Sequence, residues 1–305
     1  MNILIIGGNG FIGSHLLEVL SLNHKVVIFD RSPNRFVSEY PNVEYVYGDF
    51  HDSSLLKTCL ENIDIVYHLL STTVPLTANL DPIVDVESNV VGTIKLLEMV
   101  SKSNVKRFIY TSSGGTVYGN PEFLPIDERH PCNPIGSYGI VKNTIEHYVK
   151  MFASKKNFSY LIVRPSNPYG PRQNYNGNQG LISKLLYNGM IKEEFTIWGD
   201  GSAVRDYIYI DDLVNFLKIA GLTNKSGVYN VGSGKGRSIN EIIKLLSTIV
   251  DELPPIKYVK KNGFFVEKVV LDINSAVNTF KWNPEISLEQ GLIYHQKWMQ
   301  SAVAV

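Results

Sequence analysis

The first thirteen residues narrow the fold more than any other stretch of the chain. An apolar run, Ile3-Leu4-Ile5-Ile6, leads into Gly7-Gly8-Asn9-Gly10-Phe11-Ile12-Gly13, and Phe11, Leu16, Leu17 and Leu20 then recur on one helical face. That is a strand, a glycine-rich turn and a helix. Gly7 permits the tight turn, Gly10 removes a side chain where a pyrophosphate must reach the backbone, and Gly13 lets the helix pack closely on the sheet. Phe11, Ile12 and Gly13 open a helix whose N–H groups and positive dipole end face the phosphates. A second strand, Val26-Val27-Ile28-Phe29, ends in Asp30. A carboxylate there accepts hydrogen bonds from both ribose hydroxyls of an adenosine and repels a 2′-phosphate, which favours NAD. Arg31 stands next to it and offers a charge that a phosphate would meet, so NADP stays open.

At 305 residues the chain holds one large domain or two interlocked ones. Its 29 Lys and Arg balance 29 Asp and Glu, so no overall charge points to nucleic acid or an anionic membrane. Cys59 and Cys132 make neither a disulfide framework nor a metal spacing, and a reducing cytosol fits them. The apolar run at the N-terminus is the first strand, too short for a signal peptide, and no stretch reaches transmembrane length.

Strand and helix patterns alternate through the first half. Strands are expected at 43–47, 63–70, 108–110 and 160–163, with helices after Asp52 or Ser53, over 85–100 and over 137–152. This βαβ order implies an α/β fold with a doubly wound parallel Rossmann sheet, binding ligands at the carboxyl ends of its strands. After Pro165 the chain becomes rich in Asn, Gly, Pro and Tyr and then breaks into shorter mixed segments. The reading is an NAD-binding domain over 1–165, to which the chain returns at about 204–235. A second, smaller mixed α/β substrate domain covers 166–203 and 236–305.

The second constellation is Tyr138 and Lys142, four apart and so on one helical face. A free phenol has a pKa near 10 and is a poor base at neutral pH. An ammonium at this spacing lowers it, an oxidised nicotinamide helps further, and the lysine also reaches the nicotinamide ribose. His68 lies on a buried strand and reads as a core histidine.

With these motifs in place the chain resembles the extended short-chain dehydrogenases/reductases, in particular their nucleotide-sugar epimerase and dehydratase group. The likeness rests on the glycine turn, Gly48-Asp49-Phe50, Tyr67-His68-Leu69, Asn89 through Thr93, Ser112 through Gly119, Ser137 through Lys142, Arg164 through Pro171, Gly199-Asp200-Gly201, Arg205-Asp206-Tyr207, Leu271-Asp272 and Trp282-Asn283-Pro284. The resemblance implies that Asp49 and Phe50 meet the adenine, Leu69 the inner ribose and phosphates, and Asn89 the nicotinamide side, with Ser112 also a cofactor contact. It places Asn167 near the sugar diphosphate, Phe195, Thr196 and Ile197 beside the base, and Arg205 on the phosphates. For Arg205 the residues alone also allow an ion pair with Asp206, and for Asn89 a capping or surface role.

Gly114-Gly115 stands where 4,6-dehydratases of the family carry an Asp-Glu pair, so elimination lacks its acid. The serine that touches the reacting oxygen in epimerases aligns with Gly114, leaving Ser113 or Thr116 to reach it. Lys261 through Phe265 depart from the usual diphosphate and ribose contacts. The resemblance implies NAD-dependent 4-epimerisation of a nucleotide-linked hexose, UDP-glucose/UDP-galactose or the N-acetylhexosamine pair, through a 4-keto intermediate. A NAD(P)H-dependent reductase of a nucleotide-linked 4-keto-6-deoxyhexose is the alternative, and a non-catalytic NAD-binding scaffold the third. A cytoplasmic homodimer, paired through the helices at 85–100 and 137–152, and no metal complete the expectation.

Overall fold

In the computed structural model the described residues are 1–34, 36, 40–156, 158–177, 179–260 and 266–303. The chain runs β1 (Asn2–Ile6), α1 (Phe11–Ser21), β2 (Lys25–Asp30), β3 (Val43–Tyr47), α2 (Ser53–Cys59), β4 (Ile65–His68), α3 (Pro75–Leu80) and α4 (Pro82–Asp85). A π-helical turn, Val86–Val91, leads into α5 (Gly92–Val100), β5 (Arg107–Thr111), α6 (Ser137–Lys155), β6 (Ser159–Pro165) and β7 (Asn167–Tyr169). Then follow α7 (Leu181–Ile191), β8 (Phe195–Trp198), β9 (Val204–Tyr209), α8 (Ile210–Gly221), β10 (Gly227–Val231), β11 (Gly236–Ser238) and α9 (Ile239–Leu246). The remaining elements are β12 (Ile256–Val259), β13 (Lys268–Val269), α10 (Asn274–Phe280) and α11 (Leu288–Ala302).

The chain forms two compact units. The first comprises 1–117, 134–164 and 214–229. Its sheet has seven strands in the order β10-β6-β5-β4-β1-β2-β3, and the strands from β3 to β6 pair in parallel. Ile3, Leu4, Ile5 and Ile6 are all fully buried, the pattern of a central strand covered on both faces. The order reverses between β1 and β4, which puts the ligand crevice at their carboxyl ends. One core cluster joins Leu4, Ile6, Phe29, Val66, Phe108 and Ile162 of the sheet to Leu96 and Leu97 of α5 and Val141, Ile145 and Val149 of α6.

The helix expected over 85–100 is α4, the π turn and α5 in succession. The Asn89 amide donates to the Asp85 carbonyl at 3.2 Å and to the Asp85 carboxylate at 3.0 Å. It thereby competes for the acceptor that a regular helical turn would reserve for a backbone N–H.

The second unit comprises 118–133, 165–213 and 230–305. Its mixed sheet centres on β9, which pairs with β11 antiparallel and with β13 and β7 in parallel, while β8 and β12 form a separate parallel pair. Trp282 is 1% exposed in its core and donates its indole N–H to the Asp212 carbonyl, whereas Trp198 is exposed. This division differs from the boundaries read from the sequence. The chain's return to the first unit is confined to 214–229, because β9 is the spine of the second unit's own sheet. Residues 118–133 also join the second unit, through an Ile126–Leu271 bridge and the Tyr118 hydroxyl donating to Asn230 at 2.7 Å.

Candidate active site

The glycine turn leaves β1 at Gly7, whose φ of +83° lies in the left-handed region and where a Cβ would come 2.9 Å from the Leu70 nitrogen. A Cβ on Gly13 would lie 2.4 Å from the Gly7 carbonyl oxygen, so α1 starts in direct contact with the turn. No side chain caps α1 at Gly10, and the N–H groups at Phe11, Ile12 and Gly13 open the helix. Asp30 sits at the end of β2, its two carboxylate oxygens each accepting a backbone N–H at 3.1 Å, from Asn9 and from Ser32. The Asn9 amide oxygen is buried and has no partner among the described residues. Leu69 closes the crevice from β4, its N–H donating to the Ile6 carbonyl at 3.0 Å. A cradle that only glycine fits, an uncapped helix start, a fixed carboxylate and an orphaned buried acceptor together fit a dinucleotide.

The neighbouring cofactor candidates are placed less uniformly. Arg31 is exposed. Asp49 is exposed as well and accepts the His51 N–H at 2.8 Å, a bond that, with the His51 ring, holds its carboxyl below the usual range. The Phe50 ring is buried and stacks on His68 at 5.3 Å, so its side chain serves the core and leaves its backbone for a ligand. His68 meets the Thr93 hydroxyl at 2.9 Å, and burial drives its pKa down to about 3, so it is a neutral core group.

α6 positions the second constellation. Val141, Ile145 and Val149 seat it in the core, which sinks Lys142 and Glu146 beside them. A Cβ on Gly139 would lie 2.5 Å from the Thr116 carbonyl oxygen, so the loop after β5 packs directly against the first turn of α6. The Lys142 Nζ is 5.5 Å from the centroid of the Tyr138 ring, 5.1 Å from that of Tyr110, and donates to the Thr111 carbonyl at 2.9 Å. Desolvation lowers Lys142 to about 8, opposed by Asp85 and Glu146.

Spacing alone implied an acidified phenol at Tyr138. The protein by itself does the opposite: desolvation pushes it up to about 12, Asp85 adds to the rise, and a hydrogen bond from Ser71 opposes it.

The loop after β5 separates its hydroxyls. Ser112 donates to Glu146 at 2.6 Å and is committed to a buried network, since the same carboxylate takes Arg164 at 2.8 and 2.6 Å. The charged acceptor holds this hydroxyl in the core, so a contact of Ser112 with the cofactor would fall to its backbone. Ser113 is half-buried, and the Thr116 Oγ1 is buried with no partner among the described residues. Asn89 is spent internally, accepting the Thr72 N–H at 3.0 Å and donating to Thr73 and Asp85. These bonds fix the segment after β4.

Three groups beside the pair escape a reading by motif. Asp85, fully buried, accepts Ser137 and Thr73; Ser71 bonds to Tyr138; and Glu146 lies two helical turns beyond Tyr138. The available signal was the i, i+4 run Tyr138, Lys142, Glu146 and the matching pair Asp85, Asn89, each a polar stripe on a helix that must cover a sheet.

In the second unit, Asn167 of β7 donates to the Asp206 carbonyl at 2.9 Å. Arg205 makes no ion pair with Asp206. It donates to the carbonyls of Val204, Val266 and Glu267 at 2.8, 2.7 and 3.2 Å, while the buried Asp206 carboxylate takes Ser233 and Gly234. Phe195 and Thr196 are half-buried on β8, opposite Ile256 and Lys257. The stretch Lys261 to Phe265 lies outside the described residues. No helix among them is long and apolar enough to cross a membrane.

Comparison with known proteins matches residues 3–232 to the NAD dependent epimerase/dehydratase family. A UDP-glucose 4-epimerase of Mycolicibacterium smegmatis is 30% identical over 301 residues, 96% of each chain. The crystal structure of UDP-glucose 4-epimerase with UDP-glucose from Thermotoga maritima superposes with a TM-score of 0.92 at 33% identity, covering 99% of both chains. The UDP-N-acetylglucosamine 4-epimerase from Methanobrevibacter ruminantium, in complex with UDP-N-acetylmuramic acid, gives 0.93 at 27% identity over 99% of both.

Proposed function

The chain belongs to the NAD-dependent epimerase/dehydratase family, and from that premise we propose that it interconverts the 4-epimers of a UDP-linked hexose, UDP-glucose and UDP-galactose first. The observation that carries the reading is Tyr138 one turn from Lys142 on α6, in the unit that holds a glycine turn shaped for a dinucleotide, with Gly114-Gly115 where an elimination would need an acid. Bound NAD supplies the hydride acceptor and, when oxidised, a positive charge. Tyr138 moves the proton. It takes it from the sugar 4-hydroxyl as C4 is oxidised and returns it when the other face of the 4-keto sugar is reduced. Because burial holds the phenol at about 12, Tyr138 rests protonated at neutral pH, and positive charge nearby is what favours its ionised form. Lys142 supplies that charge while it stays protonated, below about pH 8.

Thr116, with its buried unpartnered hydroxyl, is the residue we assign to steady the reacting oxygen in place of the serine missing at Gly114, ahead of Ser113. Asn167, Phe195, Thr196 and Arg205 are assigned to the nucleotide. Arg205 keeps guanidinium donors beyond those given to carbonyls and suits a diphosphate. The exposed apolar side chains Leu76, Leu80, Ile83, Ile140 and Met151 support a homodimer through this face of the first unit, and Cys59 and Cys132, neither of them in a disulfide, suit a reducing cytoplasm.

The test is chemical. Purified protein given UDP-galactose and no added NADH should form UDP-glucose, resolved by anion-exchange chromatography. No turnover of either UDP-hexose or of the N-acetylhexosamine pair would overturn the reading. Stoichiometric loss of NADH with a 4-keto-6-deoxy nucleotide sugar would replace it with the reductase.

A further inference from the structure

Lys142 holds its charge where water is excluded, and its hydrogen-bond partner is a neutral carbonyl, Thr111. Two fully buried carboxylates act on it, Glu146 and Asp85. Glu146 is already neutralised by Arg164 at 2.6 Å. Asp85 is different. Its hydrogen-bond donors among the described residues are all uncharged: Thr73 Oγ1 at 2.6 Å, Asn89 Nδ2 at 3.0 Å and Ser137 Oγ at 2.7 Å. A buried carboxylate with only neutral donors is expensive unless a cation offsets it. The groups that feel it are Lys142 and Tyr138 on α6 and the buried phenol of Tyr110 on β5, and Lys142 is the one cation among them.

The donors also reach three separate places. Thr73 belongs to the segment after β4, Asn89 to the π turn, and Ser137 is the first residue of α6, directly before Tyr138. The π turn places Asn89 where it bonds both the Asp85 carboxylate and the Thr72 N–H. π-helical turns inside helices concentrate at functional sites.

We propose that Asp85 is a positioning residue for the tyrosine–lysine pair: it ties the start of α6 to the segment after β4 and supplies the counter-charge that keeps Lys142 cationic beside Tyr138. The inference rests on the reading of Tyr138 and Lys142 as the reacting pair. The same negative charge disfavours the phenolate at Tyr138. Removing it therefore lets both groups lose their protons at lower pH.

The experiment compares wild type, Asp85→Asn and Ser137→Ala as NAD-loaded protein. In Asp85→Asn both limbs of the pH–rate profile should move to lower pH by about half a unit, roughly threefold in rate at a fixed pH on either limb. Ser137→Ala breaks one bond but keeps the carboxylate, so its limbs should stay in place even if its rate falls. Ultraviolet titration of the Tyr138 phenolate, taken as the difference from Tyr138→Phe, gives a readout that needs no turnover and should show the same downward shift. Unmoved limbs and titration in Asp85→Asn, or an equal shift in Ser137→Ala, would overturn the proposal. If wild type turns over no nucleotide sugar, the functional reading fails while the phenolate titration still decides the role of Asp85. Should Asp85→Asn not fold, Asp85→Ser is titrated in its place.

Discussion

The buried network that shares α6 with Tyr138 and Lys142 sets a quantitative expectation. Glu146 is fully buried and accepts Arg164 through Nε at 2.8 Å and Nη2 at 2.6 Å, with the Ser112 hydroxyl at 2.6 Å. Replacing it with alanine takes both charge-assisted bonds from a guanidinium that is itself 3% exposed. Breaking a buried pair from one side costs about 3–5 kcal/mol, because the remaining charge stays desolvated. An unfolding entropy of about 2.1 cal/mol/K per residue gives about 640 cal/mol/K for the whole chain. The melting temperature of Glu146→Ala should then fall by about 5–8 °C, and by more if the first unit melts on its own. Lys106→Ala is the control. That lysine pairs with Asp64 at 2.9 Å but is 75% exposed, and its loss should cost less than about 1 kcal/mol. Calorimetry on both variants decides the matter. A Glu146→Ala protein melting within about 1 °C of wild type, or no lower than Lys106→Ala, would refute the claim that this pair is held by its burial.

Four further outcomes follow from the geometry. Tyr138→Phe should keep its NAD, seen by absorbance after denaturation, and lose about 10²–10⁴ in kcat; a loss below tenfold would remove the phenol from the reaction. Gly13→Ala places a Cβ 2.4 Å from the Gly7 carbonyl oxygen, so it should cost about 1–3 kcal/mol and strip NAD from the purified protein; full occupancy at an unchanged melting point would contradict that packing. His295 is fully buried and neutral, its pKa lowered from 6.5 to about 3 by desolvation, so its stabilisation is present above 6.5 and is lost as pH falls toward 3. From pH 6.5 to 5 that is about 2 kcal/mol, and urea midpoints of His295→Gln should show a flatter slope over the same range. The paired substitution Leu80→Glu, Ile83→Glu should leave a monomer by sedimentation if the exposed apolar face closes a homodimer, and an unchanged mass would place the interface elsewhere.

What the sequence disclosed was local, and what it withheld was reached across distance. The turn at Gly7–Gly13 was legible because strand, turn and helix signal themselves within a few residues, and Asp30 because it ends the next strand. Tyr138 and Lys142 were legible because one helical turn fixes their spacing. Asp85 was not, since Ser137 lies 52 residues away and the irregular turn beside it leaves no periodic trace. Nor were the bonds that Ser112 makes to Glu146, 34 residues on, or that the Asn89 amide makes to Thr72 and Asp85. The phenol shows the limit most clearly. Spacing places an ammonium near Tyr138 and says nothing about water. Desolvation raises the phenol's pKa to about 12 where spacing alone had it fall. A reaction that needs its ionised form would then depend on nearby positive charge, which Lys142 carries below about pH 8 and an oxidised nicotinamide would add to.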